Sequence, residues 1–511
     1  MPSHASIPFP PELLAAKKQI REQARSYGLD FFNVIFEMCD YEQMNQIAAY
    51  GGFPQRYPHW KFGADYEGLR KRHHYGLGRI YEMVINNDPC YAYLQESNAL
   101  VDQKLVIAHV YGHSDFFKNN LWFSQTNRKM MDEMANHSTR VRKHIEKHGY
   151  DVVEKWLDVC LSIEDLIDSH SMFLRRGPDD QAPQDTKREE SGVTKFKSKD
   201  YLDRWMNPPQ ALEAEAKKIR EDREKHRFAT PVRPTRDVLR YLLDHARLED
   251  WQADCLSIVR EEAYYFAPQG MTKVMNEGWA SFWHSTLMTK HFVEAREVID
   301  YADHHSGTVH MPPGNFNPYK IGIELFRDIE DRWNKGKFGK DFEEADDLGA
   351  KKRWDKGLGL GREKIFEVRR VYNDVNFIDE FMTPEFIEKH KFFQYGRDPH
   401  TGQLRIVSRD PVRIKQTLLY QLTNMGRPFI YVVDGNYCNR GELYLAHRHN
   451  GLDIEIKYAV ETLKSVFKVW QRPVHLQAKI DEDMLLFTFD GTQPKQQTIH
   501  DDLPKPAHKV G

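Results

Sequence analysis

The hydrophobic positions divide the chain into long stretches of helical rhythm interrupted by shorter ones of strand rhythm. From about Pro11 to Tyr50, apolar residues such as Leu13, Leu14 and Ile20, then Phe32, Val34, Ile35 and Met38, recur at helical spacing and predict a helical opening. Between Arg79 and Leu94 two β-rich runs, IYEMVIN and CYAYL, flank Asn87-Asp88-Pro89 and predict a hairpin. Asn98 then stands where a cap is expected for a helix running through His113. Helical patterning continues from Leu121 to Phe173 and resumes from Thr235 to Tyr301, with a break expected near Pro268-Gln269-Gly270 before MNEGWASFWHSTLM opens the next helix. From about Leu404 to Gly491 the runs LRIVS, PFIYVVDGNY, ELYLAHRH and PVHLQAKIDEDMLLFTF read as strands separated by two amphipathic helices.

The expected fold class is α+β: a mainly helical core with a short hairpin over 1–390, a C-terminal α+β domain over 391–491, and a flexible tail over 492–511. Within the core, 175–199 is polar and punctuated by Gly177, Pro178 and Pro183, and EAEAKKIREDREK follows with strong helix formers and little apolar surface. Together they make 175–234 a charged linker and exposed helical arm. A chain of 511 residues also exceeds what one hydrophobic core organises, so more than one domain is expected.

Charge narrows the function classes. Lys plus Arg number 73 against 76 Asp plus Glu, so a net charge of -3 supplies no global field for nucleic acid or anionic membrane. The stretch HWKFGADYEGLRKRHHYGLGR mixes aromatic and basic residues, but no nucleic-acid-binding motif accompanies it. Five scattered cysteines, Cys39, Cys90, Cys160, Cys255 and Cys438, fit neither a CxxC zinc pattern nor a disulfide framework. No run approaches the ~20 apolar residues of a membrane span, and Met1 to Pro11 lacks a signal-peptide pattern, so a cytoplasmic protein without membrane insertion is expected. Phosphate loop, GxSxG elbow and dinucleotide fingerprint are all absent.

The chemistry that remains is metal chemistry. In IAHVYGHSDFF, His109 and His113 are four apart, so on a helix both imidazoles reach one ion. With 24 histidines in the chain a chance pair is common, but these two stand among Ile107, Ala108, Val110 and Phe116, and buried imidazoles need partners. A second helix offers them: Glu277 and His284 in NEGWASFWH are seven apart and share a face. Three imidazoles and one carboxylate suit a divalent metal, zinc first, with iron or manganese as alternatives.

This order, a strand pair, a histidine helix and a later glutamate, resembles the gluzincin peptidases and implies a zincin-like core. The HExxH general base is missing, because Val110 occupies its position. A base must then come from elsewhere: Glu261 or, preferred, Glu262 in REEAYYF, or Glu96 in LQESN. The segment HMPPGNFNPYKIG adds His310, Asn315, Asn317 and Lys320 as candidates for polar recognition.

The segments LQESNALVDQKLVIAHVYGHSDFFKNN, MNEGWASFWH and HMPPGNFNPYKIGIELFRDIEDRWNKGKFG together resemble the stage V sporulation protein R (SpoVR) family, in particular its members from non-sporulating proteobacteria. The resemblance extends over most of the chain. It implies a pathway of spore-cortex (peptidoglycan) formation, stress response or envelope maintenance, and as partners a serine protein kinase and a von Willebrand A-like protein. Three functions are then expected in order: a metal-dependent hydrolase of amide bonds in peptide or peptidoglycan-related substrates, a non-catalytic regulatory or scaffold protein, and a non-haem iron oxidoreductase.

Overall fold

The computed structural model describes residues 7–74, 82–173, 233–398 and 401–499, with a few positions between 208 and 231. The expected linker over 175–199, most of the helical arm and the end of the expected tail lie outside the described residues. The chain forms two compact units, 1–153 with 264–426 and 154–263 with 427–511.

The first unit opens as its rhythm predicts, with a helix Pro11–Ser26 that buries Leu13, Ala16, Ile20 and Ala24 along one stripe. The rest of the expected helical opening is different. Strand β1, Val34–Cys39, comes next, and a helix Tyr41–Ala49 begins only after Asp40 caps it. Phe36 and Met38 of β1 are buried while Glu37 between them is exposed, a period of two that so short a run hides among helical spacings. The hairpin forms as expected from β2, Glu82–Ile85, and β3, Cys90–Gln95, with Val84 opposite Ala92. β1 lies parallel to β3 on its other side, giving the order β1-β3-β2 and leaving Glu82 on an edge strand.

The histidine helix, Leu100–Asn119, is buried on almost every side and therefore shows little amphipathic contrast. Ala99 rather than Asn98 holds its N-cap position, without a side-chain bond, and Asn98 is buried in the turn before it. The helix Asp250–Met271 runs through Pro268, so the break falls at Thr272 instead of at Pro268-Gln269-Gly270. Its end lies one turn past the proline, where Thr272 Oγ1 donates to the Pro268 carbonyl at 2.7 Å.

The glutamate helix, Lys273–Leu287, then packs between the histidine helix and a helix spanning Pro318–Lys335. Small residues let the three backbones touch. A Cβ on Gly112 would stand 2.7 Å from the Ala280 Cα, and a Cβ on Gly278 would stand 2.4 Å from both the Cα and the carbonyl carbon of Gly322. Gly278 and Ala280, two residues apart, point about 200° from one another around their helix, so each contacts a different neighbour.

Buried acids fix this packing. Asp115 accepts from Trp279 Nε1 at 2.8 Å and from the Asp30 amide at 2.7 Å, with Arg369 Nη1 at 3.5 Å. Burial pushes its carboxyl up to about 6 against the pull of Arg369. Asp374 caps the glutamate helix by accepting from the amides of Val274 and Met275, both at 2.8 Å, and burial raises it to about 7 against those bonds. Trp279 and Trp283, fully buried, and Phe326 at 5.2 Å from the Trp279 ring fill the space between.

The first unit also carries an antiparallel ribbon of β4, Gln394–Arg397, and β5, Leu404–Ser408. The second unit is built on a five-stranded sheet of β6, Phe429–Tyr437, β7, Glu442–Arg448, β8, Val474–Ile480, β9, Asp483–Phe489, and β10, Pro494–Thr498, in the order β10-β9-β8-β7-β6. β6 pairs antiparallel with β7, and β7 pairs parallel with β8. The parallel pair needs a crossover, which the helix Ile456–Trp470 supplies while burying Leu463, Val466, Val469 and Trp470. The expected single run from Pro473 to Phe489 is two strands, β8 and β9, turning where Asp481 takes φ 52°. β10 lies in the stretch expected to fray. Its side chains are all exposed, so hydrophobic patterning carries no trace of a strand held by backbone pairing alone.

Candidate metal centre

One turn of the histidine helix separates His109 from His113, and their rings meet edge-on with centroids 4.5 Å apart. Both Nε2 atoms converge on Glu277 of the neighbouring helix, each 3.5 Å from its Oε2. All three residues are buried, and they are a set whose ligand atoms lie within 4.8 Å of one another. A tetrahedral ion with nitrogen and oxygen ligands at ~2.0–2.2 Å holds ligand atoms about 3.3–3.6 Å apart. By contrast, a charge-assisted hydrogen bond closes to ~2.7–2.9 Å. The observed spacing suits the edge of a coordination shell better than a direct bond, so the donor set fits a divalent cation with an open position.

The other ring nitrogens are already engaged. His113 Nδ1 meets Asn276 Oδ1 at 2.8 Å, and His109 Nδ1 meets His284 Nδ1 at 2.9 Å. Second partners of this kind hold metal-binding imidazoles with Nε2 forward. His284, the third imidazole expected in the donor set, stands behind His109 and not among the converging atoms; its Nε2 meets His305 Nδ1 at 3.1 Å.

Electrostatics follows from burial. Burial pulls His109 down to about 4, with the neighbouring His113 adding to the effect and Glu277 opposing it. Burial also opposes charge on His113, but Glu277 outweighs it and raises this imidazole above its ordinary value. For Glu277, burial acts upward and the two histidines more than reverse it, holding the carboxyl well below its usual range. Burial keeps His284 well below the ordinary histidine value, with His109 and His305 contributing.

Two residues beside this cluster were not singled out by sequence patterning. Glu82, at the start of β2, is pushed up to about 7 by burial; Glu277 adds to the rise, while His113 and His304 oppose it. Tyr319 stacks on His109 at 6.2 Å, and burial together with the nearby carboxylates of Glu277 and Glu82 raises its phenol far above its usual value. The signals were present but faint: Glu82 sits in the strand pair already noted, and Tyr319 in HMPPGNFNPYKIG. Of that segment's expected recognition groups, Asn317 caps the helix by accepting from the Lys320 amide at 3.3 Å, while its Nδ2 donates to the carbonyls of Thr308 and His310. Lys320 Nζ bonds Glu324 at 3.0 Å, and His310 and Asn315 are exposed.

None of the expected bases, Glu96, Glu261 or Glu262, belongs to the convergent set of His109, His113 and Glu277. Glu96 is exposed in the turn after β3, its amide donating to the Cys39 carbonyl at 3.0 Å. Glu262 is buried in the second unit. Val110 is fully buried in the apolar core of the first unit, so the position of the HExxH glutamate faces packing and not the histidines.

Among the described residues no helix is long and apolar enough to cross a membrane. No solved structure matches the chain. The Escherichia coli (strain K12) protein named Uncharacterized protein YcgB is 30% identical over 494 residues, covering 91% of this chain and 91% of its own. The family described as SpoVR like protein matches residues 10–427, a span that contains His109, His113 and Glu277, and the chain belongs to that SpoVR family.

Proposed function

We propose that the first unit is a metal-dependent hydrolase that cleaves amide bonds in peptide or peptidoglycan-related substrates. The observation that carries this reading is the convergence of His109 Nε2 and His113 Nε2 on Glu277 Oε2 at 3.5 Å, all three side chains being buried. His109, His113 and Glu277 would hold the ion. A divalent cation there supplies Lewis acidity toward a carbonyl and toward water.

The chain's own groups supply the rest. With Val110 in place of a base, Glu82 is the carboxylate suited to accept a proton: burial holds it near 7, where an ionised and a protonated form are both accessible at neutral pH. Tyr319 keeps its proton and has a phenol to donate toward a developing oxyanion. Asn276 and His284 hold the two imidazoles in place from behind.

The same donor set is also two histidines and one carboxylate, the ligand set of non-haem iron oxygenases, and it supports an iron oxidoreductase as the second reading. Elemental analysis of the full-length protein, beside a folded His109→Ala, His113→Ala double variant, tests both. Stoichiometric metal in the wild type and none in the variant is expected. Zinc bound without redox-sensitive absorption, together with amide hydrolysis, selects the first reading, and iron with a redox-sensitive spectrum selects the second. Equal metal content in both proteins would remove the site.

A further inference from the structure

Behind the metal-binding face a file of three imidazoles leads away from Glu277. His109 Nδ1 meets His284 Nδ1 at 2.9 Å, and His284 Nε2 meets His305 Nδ1 at 3.1 Å. Tyr301 stacks on His305 at 5.8 Å with the rings nearly parallel, fixing its plane. His284 is buried and His305 half-buried, so the file runs from the core outward. A pair of neutral imidazoles can share one proton only if one ring donates and the other accepts, which makes the N–H direction at each contact depend on the contact before it.

We propose that His284 and His305 are positioning residues for the metal ligand His109, and that the file of three imidazoles has one allowed N–H direction when a divalent cation occupies His109 Nε2. This rests on the metal reading above. Ligation uses the Nε2 lone pair, so the proton of His109 must lie on Nδ1. His284 Nδ1 is then the acceptor, its proton lies on Nε2, and His305 Nδ1 accepts that one in turn, leaving a proton on His305 Nε2.

In the metal-free protein Glu277 faces His109 Nε2, and a proton there points at the carboxylate. The file then runs the other way. His284 Nδ1 donates to His109 Nδ1, and His305 Nδ1 donates to His284 Nε2. Loading therefore reverses three tautomers. The proton on His109 Nε2 leaves as the cation arrives. The His284 Nδ1 proton passes to His109 Nδ1, the His305 Nδ1 proton passes to His284 Nε2, and His305 Nε2 takes one proton from solvent. One proton is lost and one gained, and every imidazole stays neutral.

The test is the affinity of the full-length protein for Zn²⁺ alone, by competition with a chromophoric chelator at fixed pH, with folding checked by circular dichroism. His284→Leu removes the acceptor, strands a buried N–H on His109, and is expected to weaken binding ~10–100-fold. His284→Asn places an amide oxygen near the Nδ1 position and is expected to restore most of the loss. His305→Ala is expected to give a smaller loss than His284→Leu. Undiminished affinity in His284→Leu, or equal losses in His284→Leu and His284→Asn, would overturn the relay while leaving the metal site in place. A wild type that binds no Zn²⁺ would remove the metal reading and the relay with it. Imidazole ¹⁵N shifts of wild-type protein labelled at histidine, assigned with the variants, give a readout that does not depend on any variant folding. Zinc should move the His284 proton from Nδ1 to Nε2, and a zinc-loaded protein with that proton still on Nδ1 would refute the proposal.

Discussion

Replacing Gly278 by alanine adds one methyl group where the structure has no room for it. The new Cβ would lie 2.4 Å from the Cα and carbonyl carbon of Gly322, against the 3.4 Å at which ordinary contact begins, so the two helices must part by about 1 Å. The atoms it meets are backbone and cannot rotate away. Nor can the glutamate helix retreat, because on its far side the Ala280 Cα is already close-packed on Gly112. Overpacking of this kind costs about 1–3 kcal/mol or more, and here the upper end applies. The better helix propensity of alanine returns about 1 kcal/mol, leaving a net loss of about 2 kcal/mol. For a unit of roughly three hundred residues that lowers the melting temperature by ~3 °C.

The effect on the site is larger than the effect on stability. Glu277 is the adjacent residue, and a shift of about 1 Å exceeds the ±0.2 Å within which a metal–ligand distance is useful. Zn²⁺ affinity should fall by about a hundredfold. The control is Gly63→Ala in the helix Trp60–His74, where an added Cβ meets nothing within 4 Å and the same substitution should stabilise by ~0.5–1 kcal/mol. Chelator competition and thermal melting of both variants decide the matter. A Gly278→Ala protein that binds Zn²⁺ like wild type and melts no lower than Gly63→Ala would show that this crossing does not set the site.

Other expectations follow from the same geometry. Asp115→Ala removes the buried carboxylate beside the Arg369 guanidinium and leaves two N–H groups unpaired, and should cost about 3–5 kcal/mol in chemical denaturation. Asp374→Ala, which strands the Val274 and Met275 amides at the start of the glutamate helix, should cost about 1–3 kcal/mol and weaken Zn²⁺ binding together with it. His113 holds its proton above the ordinary histidine range in the metal-free protein. Its charge thus stabilises that state fully below ~6.5, and the contribution disappears as pH rises through the raised value. Zn²⁺ must displace this proton, so affinity should rise with pH across that window, with about one proton released per ion in calorimetry across buffers of different ionisation enthalpy; no release would contradict the assignment of His113 as a ligand. Once an amide substrate is found, Glu82→Gln should lower turnover by ~10²–10⁴ with metal content intact, whereas unchanged turnover would exclude Glu82 as the base.

What the sequence determined by itself was local. The i, i+4 spacing of His109 and His113 and the seven-residue spacing of Glu277 and His284 depend only on helix geometry, and the hairpin depends on two β-rich runs either side of a turn. These survive any arrangement of the elements. Strand β1 escaped because six residues do not separate a period of two from one of 3.6, and β10 escaped because an edge strand of polar residues has no buried side to leave a pattern. Tertiary structure alone decided what meets what. Glu277 lies 164 positions from His113, and nothing local says that Gly112, Gly278, Ala280 and Gly322 let three helix backbones touch and so bring its carboxylate to both imidazoles. The same packing places Glu82 and Tyr319 beside the cluster and sets His284 against His109 Nδ1, away from the atoms that converge on Glu277. Periodicity says which face of a helix is buried, but the partner of that face is set by close contacts between residues remote in the chain, and those depend on shape.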